Sequence, residues 1–141
     1  MLFILAFILN VYAKDIFAVV LFENKANIDP RDVKTLSNTC SSVIEQSLGR
    51  DDDIDVAFGP ALQMRLMDNG YEVNACKGQC RTTIVTNYLN VQYGIFPSIE
   101  KIDNDLFNIT VSLLGEAQNN VSKTTNYADR VKTTEFLCKK I

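Results

Sequence analysis

The sequence predicts one α/β domain: a two- or three-layer unit with a mixed five-stranded sheet and helices packed on it, in the order β-α-β-α-α-β-β-β-α. Three observations predict it. Residues 16–22, Ile-Phe-Ala-Val-Val-Leu-Phe, form an unbroken apolar run of strand length, as expected of a strand covered on both faces. Residues 30–48 repeat apolar side chains at spacings of three and four, the period of a helix lying on a core. Residues 106–114 switch to a period of two, the signature of an antiparallel strand with one buried face.

The elements follow in order. Residues 23–27 read as the loop leaving the first strand. Asp29 can cap a helix whose first position is Pro30, where a missing amide costs nothing. Its stripe is Val33, Leu36, Cys40, Val43, Ile44 and Leu48, and Gly49 stands where a glycine ends helices. Residues 50–55 are an acidic turn into a short strand, Ile54–Phe58. Gly59-Pro60 opens a second helix through Leu62, Leu66 and Met67, ending at Asn69-Gly70. After Cys76-Lys-Gly-Gln-Cys80, the spacing of Ile84, Tyr88 and Leu89 predicts a short helix. Residues 91–102 alternate as a long strand kinked near Pro97, and Asp103-Asn104-Asp105 turns into its partner, with Phe107, Ile109, Val111 and Leu113 on one face. Asn119-Asn120 turns again into a polar third strand, residues 121–127, suited to a sheet edge. Ala128-Asp129 caps a final helix, residues 130–140, with Val131, Phe136, Leu137 and Ile141 as its apolar side.

Residues 1–13 carry no charge and end Val11-Tyr12-Ala13, with small residues at the third and first positions before a cut. An export signal over 1–13 and a single domain over 14–141 are therefore expected, in the periplasm or outside the cell. A core element or membrane anchor is the alternative for this stretch, but a span needs about 20 apolar residues. The first cysteine is Cys40, so no lipidation box follows the leader.

The net charge is −3, without a basic cluster for nucleic acid or an anionic membrane. The chain has no histidine, which removes the usual general base and the commonest ligand of catalytic zinc. No cofactor or metal is expected. An EF-hand starting at Asp51 would need glycine and glutamate where Val56 and Leu62 stand, so the acidic turn reads as a solvated loop. Glu23, Asp55, Glu72 and Glu100 show no spacing that pairs an acid with a base. Asn108-Ile-Thr110 and Asn120-Val-Ser122 match the glycosylation acceptor pattern; Asn108 falls mid-strand, a poor acceptor, and if the source is bacterial both matches are coincidence.

The four cysteines allow three pairings. Cys76 and Cys80, four apart, favour a local disulfide. Cys40 and Cys138 could join two helices on one sheet face, or remain small buried apolar residues. A redox pair would use two intervening residues, not three, and a zinc site would need all four sulfurs to converge.

Ala18-Val-Val-Leu-Phe-Glu23, Asp55-Val56, Met64, Leu66-Met67, Gly70, Cys76 through Cys80, Thr82 to Val85, Tyr93 to Phe96, Ile99 to Ile102 and residues 107–114 together resemble a recurring bacterial pattern. It is similar to the amino-terminal domain family of the Tol–Pal protein TolB and to the periplasmic part of the curli secretion channel. The likeness spans nearly all of residues 14–141. Phe96-Pro97 departs from a usual glycine, Gln118-Asn119-Asn120 replaces a Thr-Gly turn, and no β-propeller follows. The resemblance implies a periplasmic adaptor that binds protein and transfers no catalytic residue.

Function is accordingly expected as an exported, non-enzymatic module binding a protein or envelope component, with partner and oligomeric state open. The expected surfaces are the edge strand, Val121, Ser122, Lys123, Thr124, Thr125, Asn126 and Tyr127, and a groove near Cys76 and Cys80. A small-molecule binder and a thiol or carboxylate enzyme are the alternatives.

Overall fold

A computed structural model describes residues 15–50, 53–68, 70, 91–115 and 118–141. The leader, the Cys76–Cys80 turn and the helix expected over 81–89 lie outside the described residues. The described elements are β1 (Asp15–Val19), β2 (Glu23–Lys25), α1 (Pro30–Leu48), β3 (Ile54–Phe58), α2 (Gly59–Asp68), β4 (Tyr93–Asp103), β5 (Leu106–Gly115), β6 (Asn119–Thr125) and α3 (Arg130–Lys140).

The α/β expectation is met by a mixed sheet with the order β3-β1-β4-β5-β6, to which β2 adds a sixth strand by pairing with β4. β1 runs parallel to β3 and β4, whereas β5 is antiparallel to β4 and β6 antiparallel to β5. The apolar run 16–22 is not one strand. After Val19 the chain leaves the ladder, Phe22 N–H donates to the buried Ser37 Oγ at 3.0 Å, and residues 23–25, expected as loop, pair with Ser98–Glu100 instead. This break explains Pro97. Val20 N–H donates to Ile95 O, so Pro97, two residues on, faces the same side of β4, opposite the gap between β1 and β2. No neighbour there asks for its missing amide. The expected kink is replaced by a continuous strand, and the irregularity falls at Lys101/Asp103.

One sheet face builds the main core. Val19, Ile95, Ile99, Ile109 and Val111 meet Leu36, Cys40 and Ile44 of α1 and Leu137 of α3. The other face carries a smaller cluster in which Ala18 and Val20 meet Leu62 and Leu66 of α2. Met67, expected among these, is 63% exposed. α1 matches its expected span, and the Asp29 carboxylate accepts from Arg31 N–H at 2.9 Å. Gly49 ends it in right-handed geometry, φ −68°, rather than the left-handed turn its glycine suggested.

The apolar side expected for α3 needs correction. Thr133, Thr134, Leu137 and Cys138 are buried, whereas Phe136 is 44% exposed. Thr134 can line a core because its hydroxyl donates to Arg130 O at 2.8 Å.

Candidate functional site

The candidate site is the outer edge of β6 together with the side of α3 that overhangs it. Among the described residues β6 pairs with β5 alone, which leaves its far side without a strand. The edge is shifted from the expected 121–127. Asn119 and Asn120, expected as a turn, pair with Leu113 and Ser112, and the strand ends at Thr125. Asn126 and Tyr127 therefore lie beyond it.

Alternation sorts the strand. Val121, Lys123 and Thr125 stand opposite Val111, Ile109 and Phe107, on the α1–α3 face. Val121 is half-buried and Thr125 buried. Ser122 and Thr124 are exposed on the other face, beside Thr110 and Asn108. Asn108 and Thr110 of one acceptor motif thus share a strand face, where the Asn108 amide donates to Thr110 Oγ1 at 3.4 Å. Lys123 brings its ammonium 4.5 Å from the centre of the Phe136 ring, and Lys140 reaches the same ring at 4.4 Å. An exposed aromatic ring is thereby held between two cations beside an open strand edge.

Tyr127 belongs to a latch that fixes how α3 meets the sheet. Its hydroxyl donates to Asp32 Oδ2, its ring lies 3.9 Å from the Arg130 guanidinium, and it tilts against Phe107 at 6.0 Å. Arg130 bridges Asp32 at 3.1 Å and donates to Tyr127 O at 2.7 Å. Its Nε is buried without a hydrogen-bond partner. The pair is largely withdrawn from solvent, the side chains being 17% and 23% exposed. The Asp32 carboxylate, accepting a hydrogen bond from the phenol, pushes the pKa of the Tyr127 hydroxyl above its ordinary value. The Arg31 guanidinium, with the Arg31 amide, holds Asp29 below the usual carboxylate range.

The second tie is covalent. Cys40 and Cys138 form a disulfide with their Cα atoms 5.7 Å apart, joining α1 and α3 inside the core. Cys76 and Cys80 lie outside the described residues, as does the groove expected near them. Outside the two ties, α1 and α3 leave an open groove of about 490 Å³ lined by Thr35, Asn38, Thr39, Ser42, Gln46 and Lys139 among others. Its lining has no aromatic side chain, and Thr35 and Thr39 spend their hydroxyls on carbonyls of their own helix. Among the described residues no three His, Cys, Asp or Glu side chains are placed to hold a metal, and no helix is long and apolar enough to cross a membrane.

Sequence reasoning missed Phe136 and the latch. The pattern Thr133, Thr134, Leu137, Cys138 could have rotated α3 correctly, since it too repeats every three to four residues. Nothing local pointed from Arg130 to Asp32, 98 residues away.

No protein-family model matches the chain, and no curated protein matches it in sequence. Solved structures share its fold. Lipoprotein GNA1162 from Neisseria meningitidis is similar with a TM-score of 0.56 at 9% identity, over 79% of each chain. The PelC dodecamer from Paraburkholderia phytofirmans is similar with a TM-score of 0.50 at 13% identity, over 90% of this chain and 84% of that one.

Proposed function

We propose that this chain is an exported, non-enzymatic module of the cell envelope, of the TolB amino-terminal type, that works by binding protein along the β6 edge. The observation that carries the reading is the edge itself: a strand paired on one side alone among the described residues, beside an exposed Phe136, on a scaffold tied by a buried disulfide. Strand addition to an open edge supplies affinity through main-chain hydrogen bonds, and the flanking side chains supply selectivity. The disulfide supports an oxidising compartment, because cytosolic thiols are kept reduced. The fold shared with a lipoprotein, and with PelC, which was solved as a dodecamer, supports an envelope setting and an assembling role. The absence of histidine supports a role without acid–base chemistry.

Fractionation and alkylation test this together. The chain should leave the cytosol without residues 1–13, and Cys40 and Cys138 should resist alkylation until a reductant is added. Crosslinks to protein partners should be lost on replacing Phe136 and Lys123 by serine. A cytosolic chain with reduced thiols would refute the reading.

A further inference from the structure

We infer that the strand added at the β6 edge is an acidic one: an extended peptide segment with Asp or Glu at every second position, on the side that faces α3. The inference rests on the reading above and deepens it by naming the chemistry of the partner.

The fold gathers cations at this edge. The Lys123 and Lys140 ammonium groups lie 4.5 and 4.4 Å from the centre of one Phe136 ring. Lys132 stands four residues before Phe136, hence on the same face of α3, and all three lysines are exposed. Glu135, the one carboxylate within α3, lines the groove toward α1 instead. Among the described residues no carboxylate forms an ion pair with any of the three. The whole chain carries a net charge of −3, so the edge is a local reversal of sign. Like charges crowded about one ring repel, and an anion beside them relieves that repulsion.

The strand selects the kind of anion. The row of main-chain donors and acceptors along the far side of β6 is matched by another extended backbone, whereas a phosphate or a sugar acid would engage the ammonium groups alone. Pairing with the β6 edge of a second copy is disfavoured. Two such edges joined antiparallel in one sheet keep both α3 helices on one face, so lysine meets lysine. Lysine on an edge strand blocks unselective pairing, and the same charges admit a strand of opposite sign.

Spacing agrees with this. α3 runs back along β6, since Arg130 reaches Tyr127 beyond the end of the strand and Phe136 reaches Lys123 within it. Lys132 and Lys140 are eight residues apart, about 12 Å along the helix. Four residues of extended strand cover about 13 Å. Side chains at every second position share one face, so three successive carboxylates come level with Lys132, Lys123 and Lys140.

The test is fluorescence anisotropy of synthetic peptides on the exported chain, at low and high salt. The probe is a labelled peptide alternating glutamate with valine. It is compared with its counterpart carrying lysine for glutamate, and with the glutamate peptide N-methylated throughout its backbone. The glutamate peptide should bind, more weakly at high salt. The other two should bind at least about tenfold more weakly, the first for its charge and the second for its lost donors. Lys123→Glu with Lys140→Glu should lower affinity for the glutamate peptide roughly tenfold or more and admit the lysine peptide. Lys25→Glu on β2, which β4 and β5 separate from β6, should change neither. Circular dichroism would confirm that each variant stays folded. Equal binding of the glutamate and lysine peptides overturns the inference and leaves the edge as a protein site. Undiminished binding of the N-methylated peptide also overturns it, since charge alone then holds the ligand. Failure of every peptide to bind overturns it too; envelope crosslinks lost in the lysine variant would still keep the edge reading, and unchanged crosslinks would remove both.

Discussion

Replacing Cys40 and Cys138 by alanine should lower the stability of the domain by about 3–5 kcal/mol. The disulfide closes a loop of 98 residues, and chain-entropy reasoning assigns about 4.7 kcal/mol to a loop near that length. Both residues are almost fully buried, at 0% and 1% exposure, so loss of their packing adds to the cost. The Asp32–Arg130 tie and the Leu36–Leu137 core remain, so α1 and α3 stay docked and the variant folds. Domains of this size are stable by about 5–15 kcal/mol, so roughly a fifth or more of the margin goes. The assay is urea unfolding followed by far-ultraviolet circular dichroism, with Cys76 and Cys80 left in place. The slope with urea should steepen, because the uncrosslinked denatured chain exposes more surface. The melting temperature should fall by roughly 10–20 °C. A loss below about 1 kcal/mol with an unchanged slope would refute the reasoning, since the cross-link would then restrain little in the unfolded chain.

Two further outcomes test the surface assignments. Leu137→Ala should cost about 2–5 kcal/mol in urea unfolding, whereas Phe136→Ala, one position along, should cost under about 1 kcal/mol; equal losses would show α3 to be rotated from its assigned face. The Tyr127 phenol, raised by Asp32, should titrate above an ordinary tyrosine by NMR, and Asp32→Asn should bring it back down. Because the folded value is the higher one, its contribution to stability is full below the unfolded value near 10 and disappears as pH rises through the folded value.

What could be read from the residues depended on distance along the chain. α1 was legible because its signals are local: Asp29 and Pro30 at one end, Gly49 at the other and a dense stripe between. β5 was legible because its strict alternation is buried on one side only. β2 was not, because Glu23, Asn24 and Lys25 have little strand preference and pair only where β4 offers the place that β1 vacates. Phe136 was misplaced because aromatic residues are expected inside, while two lysines, one from another element, hold its ring at the surface. The edge strand was recognised by its polarity, but its end was set by Tyr127, whose aromatic ring is drawn out of the strand by Asp32 and Arg130. The cysteine pair Cys40–Cys138 was one of several open pairings, and only the arrangement of α1 beside α3 chooses it.

That arrangement has a regularity with a testable consequence. Asp32 meets Arg130 and Cys40 meets Cys138, each across 98 residues. Equal offsets mean that α1 and α3 run side by side in the same direction and in one register, with the two ties eight residues apart, about 12 Å along the helices. If the helix pair opens as a unit, either tie alone holds it shut, and removing both should cost more than the two separate losses combined. A double-mutant cycle of Asp32→Asn with Cys40→Ala/Cys138→Ala, read by urea unfolding, should then give a coupling of about 0.5–3 kcal/mol. Strict additivity would mean that the first turn of α3 frays independently of its covalent end. The position of Phe136 and Lys140 over β6 would then depend on the disulfide alone, and the edge would reach its partner already ordered only in the oxidised chain.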